Sequence, residues 1–274
     1  MGIPIGSEVH KQLFCRMFLD THDPYNAAEI PWPVLPQDAL ARLRSLPFWG
    51  IAVETEGYAA ARIAALAKVE HDPLLREAIA LQAFEEARHQ DILQAMLRHY
   101  DIPLPKEPAA YITADPEWEF LRMGYAECFD SFFAFGLFHL ANTSGFFPAA
   151  LVQVFEPVMQ EEARHIVFFI NWAAYSQAQR AWWRRPPFAV RRLAALAVQA
   201  SARLKMGRST DSNNFTYASQ EALPVALTPR LFLKMCLAEN DRRLSVYDGR
   251  LLRPKIVPGL VRLAVSLWPT PRVH

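Results

Sequence analysis

The stretch Glu-Glu-Ala-Arg-His occurs twice in the chain, at residues 85–89 and again at residues 161–165. Each copy contains Glu-x-x-His, so that a glutamate and a histidine stand three residues apart, at Glu86 and His89 and at Glu162 and His165. On an α-helix, residues at this spacing lie on one face. Each copy would therefore aim a carboxylate and an imidazole at the same point.

The composition favours helices around both copies. Gly is scarce (10 residues), whereas Pro is abundant (21 residues) and clusters between the helix-like stretches, as is typical of an all-α protein with proline-marked loops. The segment 101–114 contains three prolines and is predicted to be a long connection without a helix. Pro157 is expected to kink the last long helix. Four long helices are predicted, at residues 48–70, 73–100, 116–141 and 148–180.

Two further glutamates are predicted to lie at the same level along the helix axes as the glutamates of the repeated motif. In a helical hairpin, residues equally far from the turn lie at the same level. Glu56 and Glu86 are equally far from residue 71, where the first turn is predicted, and Glu127 and Glu162 are equally far from the second predicted turn. Glu56 also interrupts an apolar stripe, where an unpaired carboxylate is costly. The alternatives are Glu54 in the first helix and Asp130 in the third, and Asp130 could also support the site from outside.

The remaining charged residues of the repeat have an expected supporting role. Glu85 and Glu161 are placed to accept the free ring N–H of the histidine on the partner helix, which would fix the histidine tautomer. Arg88 and Arg164 are placed to neutralise these two outer acids. The alternative interpretation is that both copies form the solvated, charged face of an amphipathic helix.

The pattern Glu, Glu-x-x-His, Glu, Glu-x-x-His resembles the ferritin-like di-iron oxidase and oxygenase superfamily. In its bacterial multicomponent hydroxylases the motif reads Asp-Glu-x-Arg-His, so glutamate here replaces the outer aspartate. The resemblance covers about residues 48–175 and implies a ferritin-like four-helix bundle of two antiparallel hairpins. It also implies two iron ions, or a manganese–iron pair, because hard oxygen and nitrogen donors suit both metals. The implied ligands are Glu56, Glu86, His89, Glu127, Glu162 and His165.

Three functions are compatible with such a site. The first is an O2-activating oxidoreductase with an external electron donor, which would act on an apolar or amphipathic small molecule beside the phenylalanine-rich segment 129–138. The second is iron storage or peroxide detoxification, as in ferritins and rubrerythrins. Ferritin subunits are shorter, and the Cys-x-x-Cys iron site of rubrerythrins does not occur in this sequence. The third is a non-catalytic scaffold, which a complete ligand set disfavours.

The chain is predicted to have three parts: an N-terminal extension (1–47), the bundle (48–180) and a C-terminal helical extension (181–274) that packs on the bundle. Three distant cysteines indicate a reducing compartment, so a cytoplasmic location is expected, with attachment to the inner membrane surface as the alternative. Neither a signal peptide nor a membrane-spanning helix is predicted.

Charge is distributed unevenly along the chain. Residues 180–208 hold eight Lys or Arg and residues 249–274 hold five, and neither segment contains an acid. Removing these 13 from the 29 basic residues leaves 16 against 28 acids, a charge of −12 for the remainder. The basic segments could face water, an anionic membrane surface or an acidic partner such as a carrier protein, and a homodimer is a further option. Nucleic acid is not expected, because Trp182 and Trp183 resemble an interfacial anchor more than a base-stacking platform.

The helix predicted at residues 188–206 is expected to be amphipathic. Its arginines and its lysine are expected to lie largely away from the apolar face, at Arg191, Arg192, Arg203 and Lys205. The apolar face itself consists of Leu193, Leu196, Ala197, Ala200 and Leu204.

Overall fold

The computed structural model describes residues 2–105, 113–206 and 228–268. Over these residues the chain is helical and contains no β-strand, which confirms the all-α prediction. The helices are α1 (Glu8–Asp20), α2 (Gln37–Ser45), α3 (Trp49–Val69), α4 (Pro73–His99), α5 (Pro116–Ser144), α6 (Ala149–Gln153), α7 (Glu156–Gln179), α8 (Arg185–Met206), α9 (Pro229–Leu244) and α10 (Ile256–Leu267).

Four long helices surround the centre of the molecule. Helix α3 packs on α4 and α5, and α7 packs on the same two helices. Local signals set the helix starts, because Asp72 caps α4 and Asp115 caps α5 through side-chain oxygens that accept backbone N–H groups, with proline next in each case. The second turn forms at Gly145, whose φ of 68° suits glycine.

The predicted helix over residues 148–180 is interrupted, which corrects the expectation of one kinked helix. Helix α6 ends at Gln153, and α7 begins at Glu156 with Pro157 in its first turn. Proline cannot donate the i→i−4 hydrogen bond, and its ring clashes with the carbonyl group four residues earlier, which here belongs to Gln153. The helix therefore stops at that residue and restarts with the proline where it is tolerated.

The first 47 residues contribute to the central core. Helix α1 packs between α4 and α7, and its side chains Phe14, Cys15 and Phe18 are completely buried there. The segment after α1, residues 21–30, makes hydrogen bonds to side chains of both repeated motifs. The N-terminal extension is therefore part of the bundle's packing.

The C-terminal helices cover α5. Phe129 and Phe132 of α5 form one apolar cluster with Phe232 of α9 and with Val257 and Val261 of α10. Much of the phenylalanine-rich segment is thus used for helix packing. Residues 106–112, 207–227 and 269–274 lie outside the described residues, and they include parts of the predicted connection and of the C-terminal extension. In the described part of the chain, no helix combines the length and the apolar character needed to cross a bilayer.

Candidate metal centre

Six side chains from four helices meet inside the bundle. Helix α3 supplies one carboxylate, α5 another, and α4 and α7 each supply a carboxylate and a histidine. Their ligand atoms form two groups, and within each group the atoms lie within 4.8 Å of one another. The first group is Glu56, Glu86, His89 and Glu162, and the second is Glu86, Glu127 and His165. Because Glu86 belongs to both groups, its carboxylate lies between two positions that could each hold a cation.

The two histidines present their Nδ1 atoms to the carboxylates. The ring of His89 donates Nε2–H to Glu161 at 2.8 Å, and that of His165 donates to Glu85 at 2.9 Å. In the neutral form of each imidazole, with the proton on Nε2, Nδ1 carries a lone pair. Burial opposes protonation of His89, but its hydrogen bonds with Glu161 and Glu162 outweigh burial and raise the pKa of His89 well above its ordinary value.

These lone pairs face oxygen atoms that are also acceptors. Nδ1 of His165 lies 2.9 Å from Glu86 Oε1, and Nδ1 of His89 lies 3.3 Å from Glu162 Oε1. Neither Nδ1 has a hydrogen-bond partner among the described residues, and Glu86 Oε1 has none either. Buried acceptors that face one another repel unless a proton or a cation lies between them. The donor set and this arrangement therefore fit divalent metal ions.

The outer acids are held by arginines from the opposite motif. Arg88 of α4 donates to Glu161 of α7 at 2.5 Å, and Arg164 of α7 donates to Glu85 of α4. All four side chains are buried. The hydrogen bonds expected from the sequence are thus present, and the motifs are linked crosswise between the two helices.

The inner and outer carboxylates differ in acidity. Burial, followed by the charges of Glu162 and Glu56, raises the pKa of Glu86 well above its ordinary value. Burial and the charge of Glu86 raise the pKa of Glu127 in the same way. Burial also opposes ionisation of Glu85, but the hydrogen bonds and charges of His165 and Arg164 outweigh it and hold the pKa of Glu85 at about 2. Glu85 is therefore ionised, whereas burial disfavours the ionised forms of Glu86 and Glu127. Burial also opposes ionisation of Glu162, but the hydrogen bond from His89 and the charges of His165 and His89 outweigh it and lower the pKa of Glu162.

Two residues of the N-terminal segment complete the outer network. His22 Nδ1 lies 2.5 Å from Glu85 Oε1, and the Tyr25 hydroxyl donates to Glu161 Oε2 at 3.0 Å. The backbone carbonyls of this segment also accept from both arginines of the motifs. Sequence reasoning missed these residues, because they follow α1 in an irregular stretch with no helical spacing to relate them to the motifs.

Two further polar residues contact the inner carboxylates. Gln82, completely buried in α4, has its amide nitrogen 3.3 Å from both oxygens of Glu127, and Ser131 of α5 donates to Glu162 at 2.9 Å. Gln82 precedes Glu86 by four residues and Ser131 follows Glu127 by four. A search for polar side chains one helical turn from each proposed ligand would have found both.

The two alternative carboxylates lie outside the clusters. Asp130 is largely exposed and pairs with Arg203 of α8, which ties that helix to α5 one turn from Glu127. Glu54 is not among the grouped ligand atoms. Of the six grouped residues, Glu56 is the most exposed, with 24% of its side chain accessible, so the cluster is nearest to solvent on the α3 side.

Comparisons with protein-family models, with curated proteins and with solved structures find no match to this chain. The functional conclusion therefore depends on the site itself.

Proposed function

We propose that the chain is a non-haem di-iron, O2-activating oxidoreductase of the ferritin-like type, with a small apolar or amphipathic molecule as its substrate. The observation that supports this most strongly is the pair of ligand groups that share Glu86, with both Nδ1 atoms facing carboxylates and lacking hydrogen-bond partners. The proposed ligands are Glu56, Glu86, His89, Glu127, Glu162 and His165.

The protein residues would prepare the site in three ways. Glu85 and Glu161 hold the two imidazole rings by Nε2, so that Nδ1 points inward and the tautomer is fixed. Arg88 and Arg164 compensate the negative charge that these acids bring into the interior. The apolar side chains around the ligands exclude water. Iron bound by these ligands supplies the capacity to reduce O2 with electrons from an external donor.

The metal assignment can be tested by elemental analysis. Protein expressed with iron should contain close to two metal ions per chain, and a His89→Ala, His165→Ala double variant should lose them. A His10→Ala, His99→Ala variant is a matched control, because these histidines are not among the grouped ligand atoms. One ion or none in fully loaded protein would contradict the assignment, as would unchanged metal content in the first variant.

The proposed reactivity is tested separately. Anaerobic protein loaded with ferrous iron should consume O2 rapidly when mixed in a stopped-flow instrument, with a transient visible absorbance. A candidate apolar substrate should yield an oxidised product. Continued uptake of iron into a ferric mineral, without any substrate-dependent product, would instead identify a storage protein.

A further inference from the structure

Helix α8 presents an apolar surface to solvent. Four of its large apolar residues are exposed by 42–64%: Val190, Leu193, Val198 and Leu204. The exposed positions between them along the same face are alanines and a serine. A surface helix ordinarily turns this kind of face towards the protein core and its charges towards water.

The charged side of α8 faces the protein, an arrangement different from the predicted alternatives of water, a membrane surface or an acidic partner. Arg191 pairs with Asp115 at 2.8 Å, and Arg203 pairs with Asp130. Arg192 donates to Gln177 at 2.5 Å. The predicted apolar face is also divided, because Leu196 and Ala200 pack on the cluster with α5, whereas Leu193 and Leu204 are exposed.

Helix α10 also packs on α5 with one side and exposes an apolar stripe on the other. Val257 and Val261 are buried in the cluster that also receives Leu196 and Ala200 of α8, so both helices cover the same part of α5. The opposite side of α10 is an exposed apolar stripe with the spacing of one helical face. It is formed by four residues with these exposed fractions: Ile256 (48%), Leu260 (58%), Leu263 (55%) and Leu267 (74%). Trp182 and Trp183 precede α8 and Trp268 follows α10, and all three are exposed.

A basic cavity of about 540 Å³ lies at the start of α10, between this helix and α9. Its lining includes Arg253, Lys255 and Arg262, with Asp241 as its one acid. Asp241 pairs with Arg262 at 3.0 Å. The Nη2 atom of Arg253 donates to backbone carbonyls, but its Nη1 atom is buried and makes no hydrogen bond within the described residues. A cavity lined by three cationic side chains and one acid is suited to an anion such as a phosphate group.

We propose that the exposed faces of α8 and α10 form a docking surface for an anionic lipid membrane, and that the Arg253 cavity receives the phosphate of a lipid headgroup. Tryptophans and basic residues at the ends of apolar helical faces are typical of helices that lie in the membrane interface. The positive charge at the edge of the docking surface argues against a second copy of the chain as the partner that covers it. A two-fold interface places the same patch opposite itself, so the basic residues at its edge would repel one another.

The test is co-sedimentation of the full-length protein with vesicles at low salt. Vesicles of equimolar phosphatidylcholine and phosphatidylglycerol should bind the protein, and vesicles of phosphatidylcholine alone should bind it much less. A Leu260→Glu, Leu263→Glu variant should bind at least about tenfold more weakly, because it removes two exposed apolar contacts and adds negative charge. Lys255→Gln should weaken binding about fivefold.

Val34→Glu provides the matched control, since Val34 is 97% exposed and lies in the N-terminal connector. This variant should bind like the wild type, and circular dichroism should show that all variants remain folded. Equal recovery of wild-type protein in the supernatant with both vesicle types would overturn the docking surface. Undiminished binding by Lys255→Gln would overturn the role of the cavity. A lipid-free dimer that the double leucine variant dissociates, without vesicle binding by the wild type, would show that the surface joins two chains. None of these readouts depends on the metal site.

Discussion

At the residue scale, the direction of each histidine ring depends on an acid from another helix. His165 of α7 is held by Glu85 of α4, and His89 of α4 is held by Glu161 of α7. The two motifs are therefore one structural unit, in which a change in either helix alters the ligand geometry of the other. Each copy of the repeat supplies two residues of the candidate ligand groups and the acid that holds the histidine of the other copy, which accounts for the repetition of the sequence.

We expect Glu85→Gln to weaken ferrous iron binding by about 10- to 100-fold, the range found when such supporting partners are removed. The variant keeps the size of the side chain but loses the charge that stabilises the histidine and neutralises Arg164. Chelator competition would measure the affinity. Glu77→Gln on the exposed side of the same helix is the control and should bind iron like the wild type. Equal affinities for the two variants would show that the outer acid does not support the metal ligands.

At the element scale, sequence reasoning succeeded where local signals decide the structure. The Asp-Pro pairs that start α4 and α5 fix both helices at their N-terminal ends. Equal distance from the first turn correctly predicted that Glu56 and Glu86 share a ligand group, whereas Glu127 and Glu162 lie in different groups. Sequence reasoning failed where tertiary contacts decide the structure. The path of residues 21–25 depends on hydrogen bonds to buried arginines of two other helices, and no pattern within the segment indicates this.

The attachment of α9 to the bundle is another feature that only the structure shows. Arg243 is completely buried in α9, and its guanidinium group makes two hydrogen bonds to Glu156 of α7, at 2.8 and 3.1 Å. The same group lies 5.3 Å from the ring centres of Phe135 and Phe138. One buried cation therefore joins α9 to both α5 and α7.

We expect Arg243→Ala to lower the free energy of unfolding by about 3 kcal/mol, since removing the buried guanidinium group leaves a cavity and breaks both of its hydrogen bonds to Glu156. The neighbouring Arg242→Ala should cost less than about 1 kcal/mol, because the Arg242 side chain is 55% exposed and its ion pairs are screened by water. Urea unfolding would compare the two variants. Equal losses of unfolding free energy in the two variants would mean that the buried position of Arg243 does not matter for the attachment of α9.

At the scale of the whole molecule, the charge imbalance seen in the sequence is resolved by packing. Arginines of the basic C-terminal region pair with acids of the bundle, as Arg191 does with Asp115 and Arg203 with Asp130. The carboxylates of the candidate metal centre form no ion pair with an arginine or lysine in the described part of the chain, so any negative charge that they carry lies next to His89 and His165. Stability should therefore depend on whether protons or metal ions compensate that charge.

The sign of this dependence follows from the raised pKa values of Glu86 and Glu127. Between their ordinary pKa and the raised pKa of the folded state, the metal-free folded protein binds more protons than the unfolded chain, so its stability falls as pH rises through that interval. Glu85 contributes no change near neutral pH, because its pKa of about 2 keeps it ionised there. Bound metal requires ionised ligands and faces less competition from protons as pH rises.

We therefore expect ferrous iron, or manganese as a redox-stable substitute, to raise the melting temperature more at about pH 8 than at about pH 6. Differential scanning calorimetry of metal-free and metal-loaded protein at both pH values would measure the two increments. The His89→Ala, His165→Ala variant should show no increment at either pH, which separates binding at the centre from unspecific metal effects. Equal increments of the melting temperature at both pH values in the wild type would mean that metal binding displaces no protons, so that the inner carboxylates and both Nδ1 atoms are already deprotonated without a cation.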